Sequence, residues 1–88
     1  MKYKVEIKPS ALKLLEKIDP IFKKRIRERI RLLETDPRHH GSIKLSGEEN
    51  GYRTRVGKYR IVYEIYDSKV IVVVVNIDHR KDIYRYRA

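Results

Sequence analysis

The side chains of this 88-residue chain whose types and spacing could do chemistry are arginine, tyrosine and histidine, and they fall in two groups. The first is YRTRVGKYR, Tyr52 to Arg60, in which four of nine residues are basic and none is acidic. The second is HRKDIYRYRA at the end of the chain, which brings His79, Arg80, Lys81, Tyr84, Arg85 and Arg87 together. A guanidinium presents a planar fork of donors that matches the oxygens of a phosphate, so Arg53, Arg55, Arg60 and Arg80 are candidates to grip one. Tyrosine stacks on a base or donates a hydrogen bond, which suits Tyr84 to a nucleotide. Lys58, Lys81 and Arg85 lie beside these groups in sequence and are candidate substrate-binding residues.

Other chemistries have less to stand on. The chain has no cysteine, so neither a disulfide scaffold nor thiol chemistry is open to it. No His-x-Glu pattern or carboxylate pair has metal-ligand spacing, and the adjacent His39 and His40 point in different directions in most backbones; no metal site is expected. Both glycine-rich phosphate-loop signatures are absent, and no nucleotide cofactor is expected. What remains is metal-free phosphoryl transfer within RNA, in which a 2′-hydroxyl attacks the adjacent phosphorus. The protein must then accept a proton, neutralise the phosphoryl oxygens and help the 5′-oxygen leave. Arginines suit the second task. They are poor at the first, which leaves Tyr84 and His79 as side chains to test for proton transfer. A module that binds RNA without cutting it fits the same residues.

Charge points the same way. The formal net charge is +10, from 22 Lys and Arg against 12 Asp and Glu. The excess is spread over both halves of the chain, so it belongs to the folded body and favours a polyanionic partner. A heavily charged surface of the kind seen in heat-stable proteins is the bland alternative. The length allows one domain, residues 1–88. The longest apolar run, VIVVVV from Val70 to Val75, is strand-sized and far short of the ~20 residues of a membrane helix. The start, MKYKVEIKPS, lacks the apolar block of a secretory signal, and a cytoplasmic protein with no membrane partner is expected.

The elements that must carry these residues follow from periodicity. YKVEIK alternates as a half-buried strand, and Pro9 ends it. Ser10 is expected to cap a helix through Lys17 that buries Ala11, Leu12, Leu15 and Ile18, with Leu14 at the margin. Asp19-Pro20 reads as an N-cap followed by proline at the first helical position. The second helix should run to about Glu34 and bury Phe22, Ile26, Ile30 and Leu33, with Lys23, Lys24, Arg27 and Arg31 outside. After the loop TDPRHHGS a short strand is possible near Ile43 to Leu45. Three strands follow, Tyr52 to Val56, Tyr59 to Ile65 and Val70 to Ile77, joined by turns at Gly57-Lys58 and Asp67-Ser68. The fold class is therefore α+β: an antiparallel sheet packed on one face by an N-terminal helical hairpin, in the order β-α-α-β-β-β with a possible extra short strand.

Strand alternation sets the faces. Tyr59, Ile61, Tyr63 and Ile65 should meet the helices, as should alternate residues of Val70 to Ile77. Arg53 and Arg55 share one face of their strand, and Arg60 the polar face of the next. If the register brings the two sets together, the three arginines converge on the sheet face away from the helices.

In the order and spacing of these segments the chain resembles the RelE/ParE family of toxins, most of all its RelE branch. The resemblance rests on GYRTRVGKYRIVYEI, VIVVVVNIDHR and HRKDIYRY, with IKPSALKLLEKI and IRLLETDP in support. It implies a small sheet packed on a helical hairpin, and a toxin that enters the ribosomal A site and cuts messenger RNA through the RNA's own 2′-hydroxyl. It also implies a cognate antitoxin that wraps and neutralises the toxin. By resemblance, Arg60 and Arg80 hold and polarise the scissile phosphate and Tyr84 orients the substrate base. The family's basic pair, often lysines, falls on Arg53 and Arg55. Arginine gives up its proton far less readily than lysine, so His79 is a candidate to compensate. The rival within the family is a ParE-like inhibitor of DNA gyrase.

Overall fold

The computed structural model describes residues 2–79. Strand β1 (Lys4–Ile7) leads into helices α1 (Pro9–Glu16) and α2 (Pro20–Leu32). Then come the two-residue β2 (Ile43–Lys44), β3 (Gly51–Val56), β4 (Tyr59–Tyr66) and β5 (Ile71–His79). A single 3-10 turn, Asp67–Lys69, joins the last two strands and ends on Val70 in the left-handed region at φ 54°.

Both helices begin on proline, where the fixed φ suits a first turn and the missing N–H is not needed. At α2 the Asp19 carboxylate accepts from Ile21 N at 3.1 Å and Phe22 N at 3.3 Å, as its sequence predicts. At α1 the expectation is corrected. Pro9 opens the helix, Lys8 holds the cap position without a side-chain bond, and Ser10 is already inside the first turn. The same short helix turns only Ala11 and Leu15 fully inward, while Leu12 and Leu14 stay exposed.

The sheet order is β1-β5-β4-β3-β2. Pairing is antiparallel from β5 through β2, and β1 joins the far edge parallel to β5, with Val5 opposite Val72 and Ile7 opposite Val74. Ala11, Leu15, Ile26, Ile30 and Leu33 close over one sheet face, against Val56, Ile61, Tyr63, Ile65, Val72, Val74 and Ile77. The inward set of β4 is the one alternation predicts, with Tyr59 half-buried at its start. In β5 the alternation breaks. Val62 pairs with Asn76 but Tyr63 pairs with Val74, so Val75 is an extra residue, and the buried positions run Val72, Val74, Ile77. Tyr63 is wholly buried, and its hydroxyl donates to the Pro37 carbonyl at 2.7 Å, fastening the loop after α2 to the sheet; burial pushes its pKa up to about 12.

A second fastening lies just past the C-terminal end of β4. Arg38 grips Asp67 with two hydrogen bonds of 3.0 and 2.7 Å and reaches the Tyr52 hydroxyl at 3.1 Å, while the Tyr3 hydroxyl donates to Asp67 at 2.7 Å. The bonds from Arg38 and then Tyr3 hold the Asp67 carboxyl down to about 2.

Candidate nucleic-acid interface

The β3–β4 hairpin turns on Gly57 at φ 58°, and its register is what assembles the site. Arg55 stands directly opposite Arg60, and Arg53 opposite Val62. Residues paired across strands share a face, and the neighbouring pair Thr54–Ile61 is buried against the helices. The three arginines therefore share the face turned away from the helices. With Gly41, Ile43 and Thr54 they line a concavity of about 230 Å³. The β2 pairing of Ile43 with Arg53 forms one wall of it. Arg55 also donates from Nε to the Gly57 carbonyl at 3.2 Å, which tethers its guanidinium near the turn.

Three guanidinium groups around one concavity suit an anion with several oxygens, and a phosphodiester has that form. Like charges directly opposite each other cost a sheet stability, so the Arg55–Arg60 pair is a feature that packing alone does not call for. One carboxylate joins them. Asp78 of β5 is the cross-strand partner of Arg60 on the same face, and it accepts from Asn76 Nδ2 at 2.6 Å. Sequence reasoning missed Asp78, because its place beside Arg60 depends on the β4–β5 register.

Of the remaining candidates, His79 and Lys58 sit elsewhere. His79 pairs with Tyr59, and their rings meet edge-on at 5.3 Å on the helix side of the sheet, opposite the arginine face. Lys58 places its Nζ 5.3 Å from the Phe22 ring centre and 5.9 Å from that of Tyr59, at the hairpin tip. Arg80, Lys81, Tyr84 and Arg85 lie outside the described residues. His39 is buried and His40 exposed, so the adjacent pair does not act as one donor set.

A five-stranded sheet with a helical pair on one face and a basic concavity on the other is the architecture that the resemblance to the RelE/ParE family implies. The chain belongs to the RelE/ParE family: residues 5–84 match the model of the ParE toxin of the type II toxin–antitoxin system parDE. Its named relatives place it on the RelE side. A RelE-like protein of Methanocaldococcus jannaschii, RelE1, is 34% identical over 88 residues, covering 97% of this chain and 98% of that one. The crystal structure of the archaeal RelE–RelB complex from Pyrococcus horikoshii OT3 superposes with a TM-score of 0.82 at 27% identity, over 91% of this chain and 97% of that chain. A mutant of Escherichia coli RelE in the free state gives a TM-score of 0.81 at 25% identity, over 99% and 93% of the two chains.

Proposed function

We propose that this chain is the toxin of a type II toxin–antitoxin pair and acts as a ribosome-dependent endoribonuclease on messenger RNA in the A site. The observation that carries the reading is the Arg55–Arg60 cross-strand pair, with Arg53 beside it, around a concavity of phosphate-binding character. The chemistry needs no metal. The 2′-oxygen forms a bond to the adjacent phosphorus and the bond from phosphorus to the 5′-oxygen breaks. The products are a 2′,3′-cyclic phosphate and a free 5′-hydroxyl. A proton leaves the 2′-hydroxyl and one reaches the 5′-oxygen, while Arg53, Arg55 and Arg60 neutralise the phosphoryl oxygens. Arg80 and Tyr84, from the matched C-terminal segment, hold the phosphate and orient the base; Lys58, Lys81 and Arg85 add contacts to the RNA backbone. His79 is the candidate proton-transfer residue, although its ring lies on the Tyr59 side of the sheet.

The partner is a cognate antitoxin, in keeping with the RelE–RelB complexes among the similar structures. A net charge of +10 favours an acidic or amphipathic antitoxin segment lying over the basic surface. Co-expression with the product of the neighbouring small reading frame should give a complex that survives moderate salt and relieves toxicity.

Purified translation complexes test the activity. The expected result is cleavage of A-site mRNA only when ribosomes are present, abolished by a 2′-deoxy nucleotide at the cut and by Arg60→Ala. Because the matching family model is that of ParE, inhibition of DNA gyrase supercoiling is the second reading. Gyrase inhibition with intact mRNA would replace the ribonuclease reading.

A further inference from the structure

Between Arg53 and Arg55 the strand sends Thr54 the other way, to the helix side, where it is 1% exposed. Its Oγ1 accepts from Arg29 Nη1 of α2 at 2.6 Å and lies 2.8 Å from Nε2 of His39, itself buried. The other ring nitrogen, Nδ1, lies 3.2 Å from the Asp36 carbonyl. A carbonyl only accepts, so Nδ1 carries a proton, and in the neutral imidazole Nε2 takes the Thr54 hydroxyl. The bonds then run in one direction, from Arg29 to Thr54 to His39 to Asp36. The same Arg29 Nη1 donates to the backbone carbonyl of Arg55 at 2.9 Å.

Register explains why that carbonyl needs a partner. Val56 and Tyr59 close the two-residue turn and exchange their hydrogen bonds, so at the next pair the backbone of Arg55 points away from β4. On that side β2 pairs only with Tyr52 and Arg53. Arg29 takes the place of the strand that has ended.

We propose that Arg29 is a positioning residue for the arginine site. It acts through Thr54 and the Arg55 carbonyl, with His39 completing the satisfaction of the threonine. Its guanidinium bonds both neighbouring residues of β3 from behind the sheet, and so sets the angle at which Arg53 and Arg55 leave the strand on the far side. The inference rests on the ribonuclease reading for its activity readout alone. Small displacements of groups that stabilise a transition state slow the reaction without weakening binding to the same degree.

The test compares Arg29→Met, Thr54→Val and Thr54→Ser, each checked for folding by circular dichroism. Three quantities are read: the single-turnover rate at saturating programmed ribosomes, the affinity for ribosomes carrying a 2′-deoxy A-site codon, and the NMR order of the Arg55 Nε–H group. Arg29→Met and Thr54→Val should lower the saturated rate about tenfold or more while affinity changes by less than about threefold, and should loosen Arg55. Thr54→Ser, which keeps the hydroxyl, should restore both rate and order. Folded Arg29→Met with a wild-type saturated rate, or with Arg55 as ordered as before, overturns the proposal, even if its melting temperature falls. Should the wild type cut no RNA, the ribonuclease reading fails by itself. Arg55 order and affinity for inorganic phosphate then decide the role of Arg29.

Discussion

Replacing Arg55 by glutamine should make the protein more stable and less active. Arg55 faces Arg60 across the hairpin, and among the described residues its flank toward β2 has no strand partner at that level. Arg60, by contrast, has Asp78 on its other side. Removing the Arg55 charge therefore relieves repulsion without stranding a carboxylate. Like charges directly opposite in a sheet cost about 0.2–1 kcal/mol, so the gain should be of that size. In a domain of this length it corresponds to a rise of roughly 1–8 °C in Tm. The lost contact, Nε to the Gly57 carbonyl at 3.2 Å, is exposed and should offset little of it. The Debye length shrinks from about 30 Å at 0.01 M salt to about 3 Å at 1 M, so the gain should fade between those conditions. A charge-assisted hydrogen bond to phosphate contributes about 1.5–3 kcal/mol, so cleavage should fall by roughly 10- to 150-fold. Paired thermal melts at low and high salt, with single-turnover cleavage of A-site mRNA, measure both effects. A lower Tm at low salt, or a gain that salt leaves untouched, would refute the repulsion argument. Cleavage within twofold of wild type would remove Arg55 from the phosphate site.

Other positions should respond as their surroundings dictate. Arg80→Ala should keep the far-ultraviolet circular dichroism of the wild type and lose most ribosome-dependent cleavage; a folded variant that cuts normally would end its assignment to the phosphate. Asp67, held down to about 2 by Arg38 and Tyr3, stabilises the fold at pH above its usual carboxyl range, and that contribution should drain away as pH falls from about 4 toward 2. Acid titration of Asp67→Asn should lack this part of the loss, and an unchanged acid limb would rule the cluster out as a source. Tyr63→Phe should cost about 1–2 kcal/mol by urea unfolding, since it removes a buried bond and leaves the Pro37 carbonyl unpaired. Gly57→Ala should cost more than about 2 kcal/mol, because the left-handed φ is unfavourable and the added carbon would run into the Phe22 ring; a smaller loss would mean that the ring moves aside freely.

Local order in the chain was enough to determine much of this protein. The alternation of YRIVYEI decides which side of β4 is buried, since successive side chains must point opposite ways. Asp19-Pro20 starts α2 through bonds confined to its first turn. Gly57 sets the hairpin and, with alternation, makes a meeting of Arg53, Arg55 and Arg60 possible. Whether they do meet depends on register, and only the folded hairpin shows Arg55 opposite Arg60. Four consecutive valines, Val72 to Val75, carry no alternation, so nothing in them marks Val75 as the bulge that moves burial to Ile77. The parallel pairing of β1 with β5 joins residues more than sixty positions apart and leaves no local signature. Thr54 did carry a signal, a hydroxyl on the core side of a strand that must find a partner. Its partners, Arg29 and His39, come from a helix and a loop that only tertiary packing brings beside it. Periodicity records which way a side chain points; what it meets there is decided by contacts between segments far apart in the chain.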